Sequence, residues 1–87
     1  MKTIETQYNE AKARYPKHLL CFKLGDYYEL WNEDAKIVSR ALGLTLTSRS
    51  KVNPIPMTAI PAHSAESYVA RLLRMGFSVA QVEFKGK

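Results

Sequence analysis

The sequence predicts an α/β domain: a small mixed β-sheet of about five strands with three packing helices, in the order α-β-β-α-β-β-α-β. Three observations carry that expectation. Apolar residues recur at helical spacing near the start, in the middle and in the last third of the chain. Between those stripes lie apolar or alternating runs of strand length. Gly, Pro and Asn punctuate the joins between these elements. With 87 residues there is room for one domain, 1–87, and a core of that size supplies about 3 to 5 kcal/mol of net stability. A composition of 46% hydrophobic and 24% charged residues, without low-complexity tracts, favours a folded chain over a disordered one.

Over residues 3–15, Ile4, Tyr8, Ala11 and Tyr15 form one stripe of an amphipathic helix, which Pro16 ends. Residues 19–24 are largely apolar and read as a strand. Gly25-Asp26 supplies turn chemistry and residues 27–31 read as a second strand, so the two predict a β-hairpin. Asn32 suits the N-cap of the second helix, and Glu33 and Asp34 suit its positive end. Ala35, Val38, Ala41 and Leu42 give that helix its buried stripe, and Gly43 closes it.

Leu44-Thr45-Leu46-Thr47 alternates as a half-buried strand. From Ser48 to Pro56 the chain carries Arg49, Lys51, Asn53 and prolines, the composition of a long exposed loop. The short apolar run 57–60 then reaches Pro61 as a fourth strand. From Ser64 onward, Ala65, Tyr68, Val69, Leu72 and Leu73 mark a third helix face, capped by Gly76. Residues 77–84, rich in Phe and Val, read as the last strand and leave Lys85-Gly86-Lys87 as a frayed basic end.

Thirteen Lys and Arg against eight Asp and Glu give a net charge of +5, which favours polyanionic partners such as nucleic acid; a solvated basic surface is the plainer reading of the same balance. Cys21, the single cysteine, lies in an apolar run and reads as a buried structural thiol. There is no apolar core of a signal peptide and no run long enough to span a membrane, so a reducing, cytoplasmic setting is expected. His18 and His63 have no companions at metal-ligand spacing, and a Gly-rich phosphate loop ending in Lys-Ser/Thr is missing, so neither metal nor nucleotide cofactor is called for. Asp26, Glu29, Glu33 and Asp34, with Glu83-x-Lys85 resembling half of a restriction-type active site, would be the basis of a nuclease. Such two-residue motifs are common by chance, and Glu33 with Asp34 is already explained as helix N-terminal charge, so no enzyme is expected.

The stretch Gly25-Asp26-Tyr27-Tyr28-Glu29-Leu30 has a different content. Strand side chains alternate between faces, so Tyr27 and Glu29 share one face while Tyr28 and Leu30 share the other. An aromatic ring beside a carboxylate has the parts to wedge between bases and touch a base edge. Spacing alone favours ordinary core or surface decoration of a strand.

The wider sequence adds to this. Leu20 to Leu30, Glu33-Asp34-Ala35-Lys36, Leu44-Thr45-Leu46-Thr47-Ser48-Arg49, Pro54-Ile55-Pro56-Met57, Ile60 to Tyr68 and Gly76-Phe77-Ser78-Val79-Ala80 resemble, in order, the N-terminal mismatch-recognition domain of the MutS family. The resemblance runs through nearly the whole chain and is compatible with a stand-alone domain or a fragment. It implies that Tyr27 is an aromatic wedge inserted from the minor groove and that Glu29 is the carboxylate that hydrogen-bonds a mispaired or unpaired base. The family's usual wedge is Phe; Tyr keeps the stacking face and adds a hydroxyl that needs a partner when desolvated. Arg49 and Lys51 fall in a basic family-like segment suited to holding phosphates.

The expected partner is therefore DNA in a mispaired, looped or otherwise distorted duplex, with no membrane and no ATPase activity in this chain. The competing expectation is a protein-interaction module that keeps the fold without DNA recognition. Charge placement separates the two, since Arg49 and Lys51 on the face opposite Tyr27 would favour the second.

Overall fold

The computed structural model describes residues 2–86. Helix α1 (Ile4–Arg14) starts where the Thr3 side chain accepts the Thr6 N–H at 3.1 Å, with Glu5 in its first turn and Lys12 and Arg14 in its last, the polarity that suits the helix dipole. Strands β1 (Leu19–Leu24) and β2 (Tyr27–Trp31) form the expected hairpin, pairing Leu24 with Tyr27 and Phe22 with Glu29. Gly25 lies at φ +62°, a backbone state that a side chain would strain, and so permits the two-residue turn.

Helix α2 (Asn32–Leu42) departs from expectation at its start. Asn32 sits at φ 57° and no side chain caps the helix. With Trp31 buried against Tyr8, the chain must turn abruptly into the helix, and Asn tolerates the left-handed state that makes this turn. Asp34 looks inward instead: its Oδ2 accepts the Leu20 N–H at 3.0 Å and Lys12 Nζ at 2.9 Å, joining α1, β1 and α2.

The third strand is also shifted. Only β3 (Thr47–Ser48) enters the ladder, opposite Met57 and Pro56 of β4 (Pro56–Pro61). Leu44 and Thr45 are engaged otherwise, because the Leu44 N–H bonds the Ser39 carbonyl and the Thr45 carbonyl accepts Thr58 Oγ1 at 2.9 Å. A turn of 3-10 helix (Ala62–Ser64) precedes α3 (Ala65–Arg74), and β5 (Val79–Glu83) completes the sheet, shorter than the expected 77–84. Lys85 is not frayed. Its N–H donates to Gln7 Oε1 at 2.9 Å and its carbonyl accepts Gln7 Nε2 at 3.1 Å, while Lys87 lies outside the described residues.

The strands lie in the order β3-β4-β2-β1-β5, with β1 and β5 parallel and the other neighbours antiparallel. The mixed sheet with helices on both sides is the expected α/β fold. Leu19, Cys21, Leu30 and Ile60 pack with Ala35, Val38 and Leu42 of α2 and Leu72 of α3, whereas Leu20, Phe22, Trp31 and Ala80 pack with Tyr8 and Ala11 of α1. Strand β1 is thus covered on both faces, which is why its sequence is apolar rather than alternating. Cys21 is buried as expected, and burial, aided by the Asp34 carboxylate, pushes its thiol up to about 12.

Candidate nucleic-acid interface

Strand β2 presents its chemistry by simple alternation. Tyr28 and Leu30 pack toward α2 and α3, while Tyr27, Glu29 and Trp31 share the side facing α1. Tyr27, at the β1–β2 turn, is 51% exposed and adjoins an open recess with Asp26, Pro61, Ala62 and His63. The Asp26 carbonyl accepts the Ala62 N–H at 2.8 Å, tying the turn that carries the ring to the end of β4. The ring therefore projects from a braced hairpin end.

Glu29 is held far more closely, its side chain 15% exposed. Its Oε1 accepts Trp31 Nε1 at 2.8 Å and Arg49 Nη1 at 3.0 Å; Oε2 has only a longer contact, 3.3 Å, from the same Arg49 nitrogen. The Arg49 guanidinium also lies over the Trp31 ring, 4.8 Å from its centroid, a cation–π arrangement. Trp31 is stacked on Tyr8 at 4.1 Å between centroids, and the Trp31 N–H donates to the Tyr8 hydroxyl at 3.2 Å. A carboxylate, a guanidinium, an indole and a phenol thus form one layered cluster running from the loop after β3 down to α1.

That loop has a fixed base and a free tip. The Arg49 N–H bonds the Ile55 carbonyl at 2.9 Å, and Ser50 Oγ accepts the N–H groups of Val52 and Asn53 at 3.2 Å each. Lys51 and Val52 are exposed at the tip, and among the described residues Lys51 has no ion pair. Of the residues expected at the site, Glu29 and Arg49 are in contact, Tyr27 shares the strand face of Glu29 two residues away, and Lys51 stands two residues beyond Arg49 at the tip. Tyr8, expected only as part of a helix stripe, and Trp31 join the cluster beyond the residues expected there. The signal for Trp31 was present, since it stands two residues beyond Glu29 on the same strand face.

The acidic residues considered for a nuclease do not converge. Glu33 pairs with Lys36, Asp34 with Lys12, Glu29 with Arg49, and Glu83 with Lys23 at 3.9 Å. Among the described residues no three His, Cys, Asp or Glu side chains come together as a metal-binding group, and no helix is long and apolar enough to cross a membrane.

The fold is that of a small α/β domain with an exposed ring and a held carboxylate on one face of one strand. The family model for MutS domain I matches residues 2–86, and the chain belongs to that family. It is 56% identical over 85 residues to the DNA mismatch repair protein MutS of Anaeromyxobacter sp. (strain Fw109-5), a match covering 93% of this chain and 10% of the relative. Against the DNA mismatch repair protein MutS of Sorangium cellulosum (strain So ce56) the identity is 53% over 79 residues, covering 88% of this chain and 9% of the relative. The protein of that name from Staphylococcus carnosus (strain TM300) is 52% identical over 79 residues, with the same coverage. The chain spans about a tenth of the length of these relatives.

Proposed function

We propose that this chain is a DNA-binding module that engages mispaired, unpaired or otherwise distorted duplex through Tyr27 and Glu29, in a cytoplasmic setting and without ATPase activity of its own. The observation that carries the reading is the half-exposed Tyr27 ring on the same strand face as the Glu29 carboxylate, at the positions to which the sequence resemblance gives the aromatic-x-Glu element. The exposed Lys51 at the tip of the loop that carries Arg49 supports this reading over the protein-interaction alternative, which the titration below separates from it.

In this reading Tyr27 enters the minor groove and stacks beside a base whose pairing is already weakened, so little unstacking energy is spent. Its hydroxyl then finds a partner or water at the groove floor. Glu29 meets the base through Oε2. Two acceptors repel, so an acceptor on the base requires a shared proton. Glu29→Gln, which supplies its own donor, is expected to retain much of the binding, and a loss as large as that of Glu29→Ala would count against the shared proton. Lys51 at the loop tip contributes a phosphate contact, which adds salt-dependent affinity without reading sequence. Single-domain affinity is expected in the weak range, about 10⁻⁴ to 10⁻⁶ M at physiological salt.

The test is a titration of labelled matched, mispaired and looped duplexes and of single strand, at two salt concentrations, with wild type and Tyr27→Ala. Tyr27→Ala is expected to weaken mispaired binding about tenfold, the scale of one base–aromatic stack. Absence of salt-sensitive binding to every probe would remove the DNA reading, and equal binding by the two proteins would remove the wedge.

A further inference from the structure

We infer that Arg49 is a positioning residue for Glu29 rather than a phosphate anchor: with Trp31 it fixes Oε1 and so orients Oε2 toward the base. The inference rests on the proposed role of Glu29 as the base-contacting group. Four observations carry it.

Both short donor contacts, from Trp31 Nε1 and Arg49 Nη1, converge on the same oxygen, Oε1. A carboxylate with one oxygen doubly held cannot rotate freely, and its second oxygen keeps a fixed direction. The guanidinium is itself confined by the Trp31 ring, and its side chain is only 20% exposed, poor access for a phosphate oxygen. Its backbone is pinned at the loop base by Ile55. The Tyr8 stack and the Tyr8 hydroxyl hold Trp31 from below. Trp31, Tyr8 and Arg49 are thus each held by a short contact or a stack, and Glu29 Oε2 keeps only the longer 3.3 Å contact from Arg49 Nη1. Lys51 differs in each respect, being exposed, at the loop tip and without an ion pair among the described residues.

Phosphate contacts and positioning contacts leave different signatures. A lost phosphate contact lowers the magnitude of the salt slope by about 0.9 and weakens all duplexes alike. A lost positioning contact lowers the preference for mispaired over matched duplex and leaves the slope unchanged. We therefore expect Arg49→Met to reduce that preference about tenfold, the lower end of what a hydrogen bond to a charged group contributes, at an unchanged slope. Arg49→Lys keeps the charge but loses the planar fork, and most of the preference should go with it. Lys51→Met should do the reverse, reducing the slope and sparing the preference. Added to Glu29→Ala, Arg49→Met should cost nothing further.

The experiment is an anisotropy titration of the mispaired and matched duplexes at two salt concentrations with these variants and Tyr27→Ala. It is accompanied by emission spectra of Trp31, the chain's one tryptophan. Loss of the Arg49 and Glu29 contacts should shift that emission in both Arg49→Met and Glu29→Ala. An Arg49→Met protein that keeps the preference and loses about 0.9 from the slope overturns the inference, as does an Arg49→Lys protein that behaves as wild type. If wild type shows no preference at all, the function proposed for Tyr27 and Glu29 falls as well. If wild type shows it, Tyr27→Ala loses it and Arg49→Met keeps it, only the positioning role is wrong. Circular dichroism of each variant separates these outcomes from misfolding, and Arg49→Lys serves as the decisive arm should Arg49→Met unfold.

Discussion

Two carboxylates flank the end of β2, and each holds a cation and an N–H donor. Asp34 takes Lys12 Nζ and the Leu20 backbone N–H on Oδ2; Glu29 takes Arg49 Nη1 and the Trp31 indole N–H on Oε1. The chemistry is nearly the same, and the consequences differ because of what is joined. Asp34 links a helix, a strand and the start of another helix inside the molecule, with its side chain only 10% exposed. Glu29 links a strand to a loop at the surface, beside an exposed ring. A buried ion pair of the first kind specifies how elements meet; the second kind specifies how one oxygen is presented.

Breaking the interior pair should have the largest effect. Asp34→Ala leaves Lys12 and the Leu20 N–H without their acceptor, at a cost of about 3 kcal/mol. For a domain with a net stability of about 3 to 5 kcal/mol, urea unfolding followed by circular dichroism should show most of the transition lost at 25 °C. Asp34→Asn, which keeps an acceptor for Leu20, should be milder.

Breaking the outer pair sharpens the contrast. Glu29→Ala should lower stability by only about 1 kcal/mol in the same assay, because it leaves side-chain donors of Trp31 and Arg49 rather than a buried backbone N–H without their acceptor. Its mispaired-over-matched preference should nevertheless vanish. A loss of stability matching that of Asp34→Ala would show that the two carboxylates do the same job.

At neutral pH the last effect is nil, and it emerges only at high pH. Burial, with a smaller push from the Asp34 carboxylate, raises the Cys21 thiol from 9.0 to about 12. The unfolded chain therefore loses this proton first. Stability should be flat below about pH 9 and decline as pH rises toward 12, by about 1 kcal/mol at pH 10. Burial raises the Tyr8 phenol in the same direction, so part of the decline belongs to it. Urea midpoints at pH 7 and pH 10 should differ less for Cys21→Ala than for wild type. Equal differences would mean that the thiol stays near its ordinary range.

Local periodicity made most of the fold legible. Helices α1, α2 and α3 and the β1–β2 hairpin stand where their stripes and turn residues put them, because each buries one face on the sheet. Failures came where a distant contact overrode a local pattern. Leu44 to Thr47 alternates like a strand, yet Ser39 and Thr58 claim the backbone groups that a ladder would need. Asn32 has cap chemistry, but the turn after a buried Trp31 required its left-handed backbone. At the site, Tyr27 and Glu29 sharing a face followed from alternation, and Trp31 could have been added by the same rule. The Arg49–Glu29 pair spans 20 positions and depends on how the loop folds back, which no local pattern encodes.

The bonds between Gln7 and Lys85 reach furthest. These residues are 78 positions apart, so the pair closes nearly the whole chain into a ring without a covalent bond. Ring closure costs entropy that grows only logarithmically with length, so a clasp of a few hydrogen bonds becomes sustainable once packing has brought the ends together. What it fastens is α1, the helix that carries Tyr8 beneath Trp31. Slack at either end of this ring would be transmitted as play in the floor under the Glu29 carboxylate, so the two ends of the fold belong mechanically to the exposed face of β2.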